Sequence, residues 1–331
     1  MGKIKLAVIG ESVYTERLTE CMQKHAPEYL EVLSCRGLEK VSEFTDSIQP
    51  DIILHEEKSL QEEKEEEHLI RIYLSTEKDV KENANSIFRY QRGSEILRQV
   101  FQYYERNSKK NLVCRCKTAE MEMTAFYAPG GHELQLPFSV AYATICGEDE
   151  KVLYLNLSEF SGMRMLFKQK DKDNFSDLIF GIRQKRERFL ICLQSVLHQT
   201  DRFDYVLPPE NPEDLYEIRE DDLACLLSLL QEQTAYKKII WNCGTLNQAA
   251  VQVMECCATV FCIRKESAFG KYRKTEFEQF LQKEMRQRLR KKVRYVCPQA
   301  GNSFAQGVDL LSQLRSGEFV KQVKAMTEQQ E

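Results

Sequence analysis

The sequence AFYAPGGHELQLPFSVAYATI, residues 125–145, predicts a strand, a loop and a helix in direct succession. Gly130 and Gly131 stand in the loop between the apolar strand Met123–Tyr127 and the helix. Pro137 suits the first turn of that helix, because the N–H that proline lacks has no helical partner there. Strands that alternate with helices are typical of a parallel sheet covered by helices, so this stretch predicts an α/β domain.

The loop is laid out like a phosphate-binding loop but lacks its chemistry. Such a loop uses glycines so that backbone N–H groups face the phosphates, a lysine that reaches the β- and γ-phosphates, and a Ser or Thr hydroxyl that holds Mg²⁺. Here Gln135 stands at the lysine position and Leu136 at the hydroxyl position. Glu133 adds a carboxylate that would repel a triphosphate, and only a protonated His132 could offset it.

Length and composition are those of a globular protein with two domains. The 331 residues are 42% apolar and 30% charged, and the net charge of −4 gives no electrostatic reason to expect a nucleic-acid partner. The apolar runs are far shorter than the roughly 20 residues that span a bilayer. The start, MGKIKLAVIGES, predicts a strand rather than a signal peptide, so we expect a cytoplasmic location.

Metal ions and nucleophilic catalysis are not expected. The twelve cysteines are scattered through apolar patterns, which favours reduced, buried thiols in a chain of this length. The close pairs, Cys114 with Cys116 and Cys256 with Cys257, lack the spacing of a zinc site. The five histidines lie in no nucleophile motif such as GxSxG.

Residues 1–106 predict a small doubly wound, flavodoxin-like parallel sheet. The predicted strands are Lys5–Ile9, Glu31–Ser34, Asp51–Leu54, Ile70–Leu74 and Ile87–Tyr90. Helices are expected between them, including one over Gly37–Ile48, and a closing helix over Gly93–Arg106. The acidic stretch of residues 56–67 is interpreted as a solvated helix face.

This order resembles the receiver domain of response regulators. Receivers place acidic residues after strand 1, an acceptor aspartate after strand 3, a Ser or Thr after strand 4 and a lysine after strand 5. The resemblance puts these positions on Glu11, on Glu56, on Ser75 or Thr76, and on Arg89. A glutamate cannot reproduce the Mg²⁺-coordinated geometry of the shorter aspartate, so we interpret Glu56 as a fixed charge facing Arg89 and the domain as a docking surface.

Residues 107–121 are interpreted as a linker and first edge, and residues 122–331 as a second α/β domain. Its further predicted strands are Lys151–Leu157, Phe203–Pro209, Tyr236–Trp241, Ala258–Ile263 and Arg294–Cys297. The run FLICLQSVLHQT, residues 189–200, predicts a helix within it. The basic run Lys283–Arg294 is either a solvated helix end or a peripheral contact with an anionic membrane or an acidic partner.

Nearly the whole chain resembles the deviant-Walker P-loop ATPases of the MinD/ParA group. Within that group it is similar to the CpaE/TadZ branch of Tad (Flp) pilus assembly, which carries an atypical receiver ahead of the ATPase domain. The similar segments are FYAPGG (126–131), VLYLNLSEFSG (152–162), DYVLPPENPEDL (204–215), KKIIWNCG (237–244) and SQLRSGEFVKQV (312–323). The resemblance implies a P-loop NTPase fold and a homodimer formed through the face that bears the nucleotide.

The resemblance also implies a nucleotide site, from which this chain departs at its charged positions. The family pattern KGGxGKT falls on Gly130, Gly131, His132, Glu133, Leu134, Gln135 and Leu136, where only Gly131 matches. The aspartate that orients the attacking water falls near Asn156, and the switch aspartate that helps to hold Mg²⁺ falls on Asn242. Phosphoryl transfer depends on charged groups of this kind, so we expect no catalytic residues.

We therefore expect a pseudo-ATPase that localises or scaffolds a pilus or secretion machine by homodimerisation and by binding a protein partner. It would need no cofactor, and it would lie in the cytoplasm, at the inner face of the membrane or at a pole. The alternative is a MinD/ParA-like NTPase whose divergent loop binds ATP weakly and which cycles between monomer and dimer. A third interpretation is a signalling module governed by the first domain.

Overall fold

The computed structural model describes residues 3–26, 29–36, 47–57, 69–77, 85–108, 121–283, 287–300, 304 and 309–328. The chain divides into two compact units, Met1–Cys114 with Gln184–His198 and Arg115–Arg183 with Gln199–Glu331. Some expectations lie wholly or mostly outside the described residues. They are the helix from Gly37, the acidic stretch 56–67, the linker before residue 121 and the pair Cys114 and Cys116.

Twelve strands and twelve α-helices have both ends within the described residues. The strands are β1 (Ile4–Ile9), β2 (Leu30–Cys35), β3 (Ile52–His55), β4 (Ile70–Ser75), β5 (Ser86–Phe88), β6 (Glu122–Tyr127), β7 (Val152–Leu157), β8 (Leu197–Gln199), β9 (Asp204–Val206), β10 (Lys238–Cys243), β11 (Thr259–Ile263) and β12 (Val293–Val296). The helices are α1 (Val13–His25), α2 (Gly93–Asn107), α3 (Gln135–Cys146), α4 (Met163–Leu166), α5 (Phe175–Gln184), α6 (Phe189–Val196), α7 (Glu220–Gln233), α8 (Gln248–Cys256), α9 (Ala268–Lys283), α10 (Gln287–Lys292), α11 (Leu310–Ser316) and α12 (Glu318–Glu328).

The first unit contains a five-stranded sheet in the order β2-β1-β3-β4-β5. Neighbouring strands are parallel, and in this register Leu6 pairs with Val32 on one side and with Ile52 on the other. The order is that of a doubly wound sheet, and the parallel α/β arrangement predicted from the sequence is confirmed. Helix α2 contributes Val100 and Phe101 to the core of this unit.

Residues 184–198 belong to the first unit, although the sequence assigned them to the second domain. Helix α6 packs against α2, and Ile191 is fully buried in the same apolar core as Val100. Near the end of α6, the main-chain oxygen of Ser195 accepts a 3.2 Å hydrogen bond from Gln102 Nε2. An unbroken second domain over 122–331 is therefore corrected at this segment, because α6 completes the core of the first unit.

The strands that lie wholly in the second unit have the order β12-β11-β6-β10-β7-β9. Strand β6 lies between β11 and β10, and it runs parallel to both. Helix α3 contributes Phe138 to a core that also holds Phe126 of β6 and Phe319 of α12. Trp241 of β10 is fully buried. This core fixes the loop between β6 and α3 at the carboxyl end of the central strand.

The helix predicted over residues 189–200 is only partly correct. Helix α6 ends at Val196, and the next three residues form strand β8. None of the helices in the part of the chain that the structure describes is both long enough and apolar enough to cross a membrane.

Candidate functional site

The loop between β6 and α3 has two glycines in the left-handed backbone region. Gly130 has φ +75° and Gly131 has φ +78°, and Gly131 N donates a 2.9 Å hydrogen bond to Ala128 O. A Cβ added to Gly130 would lie 2.8 Å from the guanidinium carbon of Arg273 on α9. The left-handed backbone angle therefore favours glycine at residue 130, whereas the contact with Arg273 could be relieved by movement of its exposed side chain.

Gln135, which the sequence pattern aligns with the lysine of a phosphate-binding loop, points its side chain inward. Its Nε2 donates to Asn242 Oδ1 at 2.8 Å and to the main-chain oxygens of Cys243 at 2.5 Å and Phe126 at 3.3 Å. These acceptors lie at the ends of β10 and β6. The amide therefore satisfies buried carbonyl oxygens instead of projecting a charge toward a ligand.

The three amides at the implied nucleotide site form one connected chain. Strands β10 and β7 are paired in a register that places Asn242 opposite Asn156, and Asn242 Nδ2 donates to Asn156 Oδ1 at 3.3 Å. Asn156 Nδ2 in turn donates to Ser161 Oγ at 2.8 Å, and its Oδ1 accepts a 2.9 Å bond from Ser158 N. Starting from Gln135, this amide chain is neutral along its whole length.

The remaining loop positions offer no positive charge. Leu134 is buried and Glu133 is exposed, while Leu136 packs at the edge of the core. His132 Nδ1 accepts a 3.0 Å hydrogen bond from Leu134 N. Burial and the nearby Lys265 lower the pKa of His132, against the opposing effect of Glu133. A neutral His132 does not offset the carboxylate of Glu133.

One face of the loop borders an open cleft of about 640 Å³. Among the described residues that line it are the carboxylates Glu133 and Glu159, and no lysine or arginine is included. Burial would raise the pKa of Glu159, but hydrogen bonds from Thr245 and Tyr216 hold it below its ordinary value. The cleft thus presents negative charge where the family resemblance implies bound phosphates.

In the first unit, Glu56 and Arg89 lie together. Arg89 Nη1 is 3.0 Å from Glu56 Oε1, and Ser12 Oγ donates to Glu56 Oε2 at 2.7 Å. The guanidinium of Arg89 also lies over the rings of Tyr14 and Tyr90, at 4.5 Å and 5.0 Å from their centroids. The negative charge of Glu56 is therefore matched by a cation and a hydroxyl donor.

The other two residues expected beside Glu56 are not part of this cluster. Glu11 is exposed, and Ser75 Oγ exchanges hydrogen bonds with the main chain of Glu77. Sequence reasoning missed Ser12 as a partner of Glu56, although its position as the N-cap of α1, three residues after the apolar strand β1, was a usable signal. It also missed Ser161 as the hydrogen-bond partner of Asn156, because nothing in the SEFSG segment indicates this contact.

The basic run Lys283–Arg294 is described only in part, since residues 284–286 lie outside the described residues. Helix α10 begins at Gln287, and Arg288 and Arg290 are exposed. Lys292 Nζ donates a 2.7 Å hydrogen bond to the main-chain oxygen of Glu255. The run therefore presents some of its cations to solvent and uses another to hold a neighbouring helix.

Comparison with known proteins finds similar structures but no similar sequence. No protein-family model and no curated protein matches the chain. A ParA family ATPase from Chlorobium tepidum TLS has a TM-score of 0.47 and 14% identity, covering 63% of this chain and 91% of that one. A Borrelia burgdorferi protein assigned to plasmid partition, bound to AMPPNP, has a TM-score of 0.47 and 11% sequence identity. The match covers 63% of this chain and 98% of that one. An ATP complex of a Cyanothece McdA variant has a TM-score of 0.46 and 11% sequence identity, and the match covers 63% of this chain and 96% of that one. With scores below 0.5, these similarities carry no argument about activity.

Proposed function

We propose that this protein is a pseudo-ATPase related to the MinD/ParA group, which acts as a scaffold rather than as an enzyme. The observation that carries the proposal is the neutral amide chain through Gln135, Asn242 and Asn156. Those three positions are where the family resemblance implies a lysine and two aspartates. Phosphoryl transfer is accelerated mainly by positioned charges, so an amide at each position leaves no means of stabilising the transition state.

The cleft beside the amide chain supports the same proposal. Its two carboxylates, Glu133 and Glu159, would repel a triphosphate across a short distance, and the described lining supplies no cation to offset them. Phe160 and Met165 come after strand β7 in the chain, and their side chains are 91% and 84% exposed. We propose that the surface bearing Phe160 and Met165 forms a homodimer that needs no nucleotide. Exposed apolar side chains of this kind are stabilised when a second copy of the chain buries them away from water.

We further propose that the scaffold serves a Tad/Flp pilus or a related secretion machine at the inner face of the membrane or at a pole. This part rests on the CpaE/TadZ resemblance and on the first unit, in which Glu56 is paired with Arg89. A fixed ion pair suits a docking domain that does not depend on phosphorylation. Treatment with acetyl phosphate should leave the mass of the protein unchanged, and a stoichiometric phosphoryl adduct would show instead a working receiver.

A second candidate function is an ATP-binding NTPase that cycles between monomer and dimer. The size of the cleft favours it, since about 640 Å³ lies within the usual range of small-molecule sites. In this interpretation backbone N–H groups of the loop would bind the phosphates with little help from side chains. Binding of this kind would require Mg²⁺ to offset the carboxylates.

Titration of the full chain with Mg-ATP and Mg-ADP, with mass followed by light scattering, separates the two candidates. We expect no Mg²⁺-dependent heat, no phosphate release and a dimer whose mass does not change. Mg²⁺-dependent micromolar binding coupled to dimerisation would overturn the scaffold and support the NTPase. The double variant Gln135→Lys with Leu136→Thr provides the matched test. It should gain little affinity in a scaffold and much in a nearly competent site.

A further inference from the structure

A second cavity borders the same loop, between β11 and α9. It encloses about 160 Å³, and its lining includes Gly131, His132 and the first turns of α9. Four basic side chains line it, Arg264, Lys265, Arg273 and Lys274, and no carboxylate is found in the described lining. The two pockets that border the loop therefore have charged side chains of opposite sign in their described linings. The 640 Å³ cleft is acidic, and the smaller cavity is basic.

Three of these four cations have no anionic partner within the described residues. Lys274 is paired with Glu278 at 3.3 Å, and it also lies over the ring of Tyr295. By contrast, no described carboxylate lies within ion-pair distance of Arg264, Lys265 or Arg273. Arg264 is half-buried, and Lys265 and Arg273 are exposed. A bound anion would supply the opposite charge that no described carboxylate gives these three cations.

The shape of the cavity favours a small ligand over a macromolecular surface. Buried Cys262 and Ile263 form part of its lining, so the cavity extends to the end of strand β11. Arg273 lies against Gly130, where a side chain would displace its guanidinium. Its guanidinium can donate two parallel hydrogen bonds to a phosphate. The ring of Phe269 also lines the cavity and is 73% exposed.

We infer that the cavity bounded by Arg264, Lys265 and Arg273 binds the phosphate groups of a small phosphorylated molecule. A volume of about 160 Å³ is suited to one or two phosphate groups, with the rest of the molecule outside. The exposed ring of Phe269 can stack on an aromatic base if the ligand is a nucleotide. This binding requires no Mg²⁺, because no carboxylate in the described lining would need to be bridged. The inference does not depend on the scaffold proposal.

The test is calorimetric titration of the full chain with inorganic pyrophosphate in EDTA. We expect a dissociation constant below about 1 mM that weakens as salt is added. Arg273→Gln should reduce affinity at least about tenfold, since it removes a charge-assisted, two-pronged contact. Lys271→Gln is the matched control. Lys271 is an exposed cation on α9 that does not line the cavity, so its loss should change affinity less than about twofold.

Further arms identify the ligand. If ADP binds more tightly than pyrophosphate and Phe269→Ala removes this difference in affinity, the ligand is a nucleotide. If ADP and pyrophosphate bind with equal affinity, the cavity recognises the phosphate groups alone. Thermal unfolding of each variant confirms that folding is retained. The inference is overturned if pyrophosphate binds no more tightly than about 10 mM, or if Arg273→Gln and Lys271→Gln weaken binding equally. Binding that requires Mg²⁺ also overturns it, and would locate the ligand in the acidic cleft instead.

Discussion

Gln135 and Asn242 are 107 residues apart in sequence, and the side-chain amide of the first donates a 2.8 Å hydrogen bond to the side-chain oxygen of the second. Gln135 begins helix α3, which follows β6 after a short loop, and Asn242 lies near the end of β10. The two residues meet because β6 and β10 are neighbouring parallel strands that end at the same edge of the sheet. The residue that the sequence pattern aligns with the lysine of a phosphate-binding loop therefore has a structural role. Its consequences for stability can be measured independently of any ligand.

Gln135→Leu should lower the free energy of unfolding of the second unit by about 2 kcal/mol, because buried oxygens of Asn242 and Cys243 lose their donor. Urea denaturation followed by fluorescence measures this directly, since Trp241 is the single tryptophan and is buried in this unit. Glu133→Gln, an exposed change on the same loop, is the control and should stay within about 0.5 kcal/mol of the wild type. Equal stability of the two variants would show that the amide contacts contribute nothing.

The first unit should lose stability in mild acid because of His55. Burial lowers the pKa of His55 from 6.5 to about 4, and Nε2 has no partner among the described residues. The unfolded chain therefore binds a proton that the folded chain does not. The free energy of unfolding of the first unit has its full value above pH 6.5 and decreases by about 1.4 kcal/mol per pH unit as the pH drops to about 4. The total loss is about 3 kcal/mol.

Hydrogen exchange of β3, measured at pH 7.5 and at pH 5 and corrected for intrinsic rates, follows this loss. His55→Asn keeps a donor for the oxygen of Glu57, which Nδ1 of His55 contacts at 2.8 Å, but removes the titration. The variant should show a flatter dependence on pH than the wild type. The same slope in both proteins would mean that another group is responsible.

Glu56→Gln should destabilise the first unit by about 1–3 kcal/mol, because the half-buried Arg89 loses the carboxylate that lies 3.0 Å away. Ser12 can still donate to the amide oxygen, so the local backbone should be retained. Glu11→Gln removes an exposed carboxylate after the same strand β1 and should have little effect. Thermal unfolding of both variants provides the comparison, and an equal effect would argue against a fixed ion pair.

Ile191→Ala and Ile182→Ala should weaken different units. The two side chains are nine residues apart and both are buried, but Ile191 lies within residues 184–198 of the first unit and Ile182 lies in the second. Each truncation should cost about 2–5 kcal/mol. Hydrogen exchange should accelerate in α2 for the first variant and in α7 for the second. Acceleration in the second unit for both would contradict the division of the chain at Gln184.

Local hydrophobic pattern was sufficient to predict most of the strands. Strand β7 differs from its prediction by a single residue, because apolar runs that are buried on both faces stand out from their polar flanks. The pattern was wrong about the end of the helix predicted over residues 189–200, because a short apolar run fits a buried helix or a buried strand equally well. Helix α6 ends at Val196 and β8 begins at Leu197, a boundary that the local pattern does not mark.

The candidate site was predictable as a set of positions but not as a set of contacts. Gln135, Asn156 and Asn242 were identified by their order along the chain, and nothing in that order indicates which amide donates to which. The basic cavity was not predicted, because Arg264 and Arg273 come from the end of β11 and from α9. Neither residue belongs to a recognisable motif, and both reach the loop only through the packing of α9.

The sequence by itself determined that both parts of the chain form α/β structure and that the loop at residues 128–136 lacks a lysine and a hydroxyl. Residue identity and periodicity are local properties that can be read without coordinates. Only the tertiary structure decided that α6 completes the core of the first unit, that the amides satisfy one another, and that four basic side chains line the cavity between β11 and α9. Each of these depends on strand order and helix packing, which bring together residues that the chain keeps far apart.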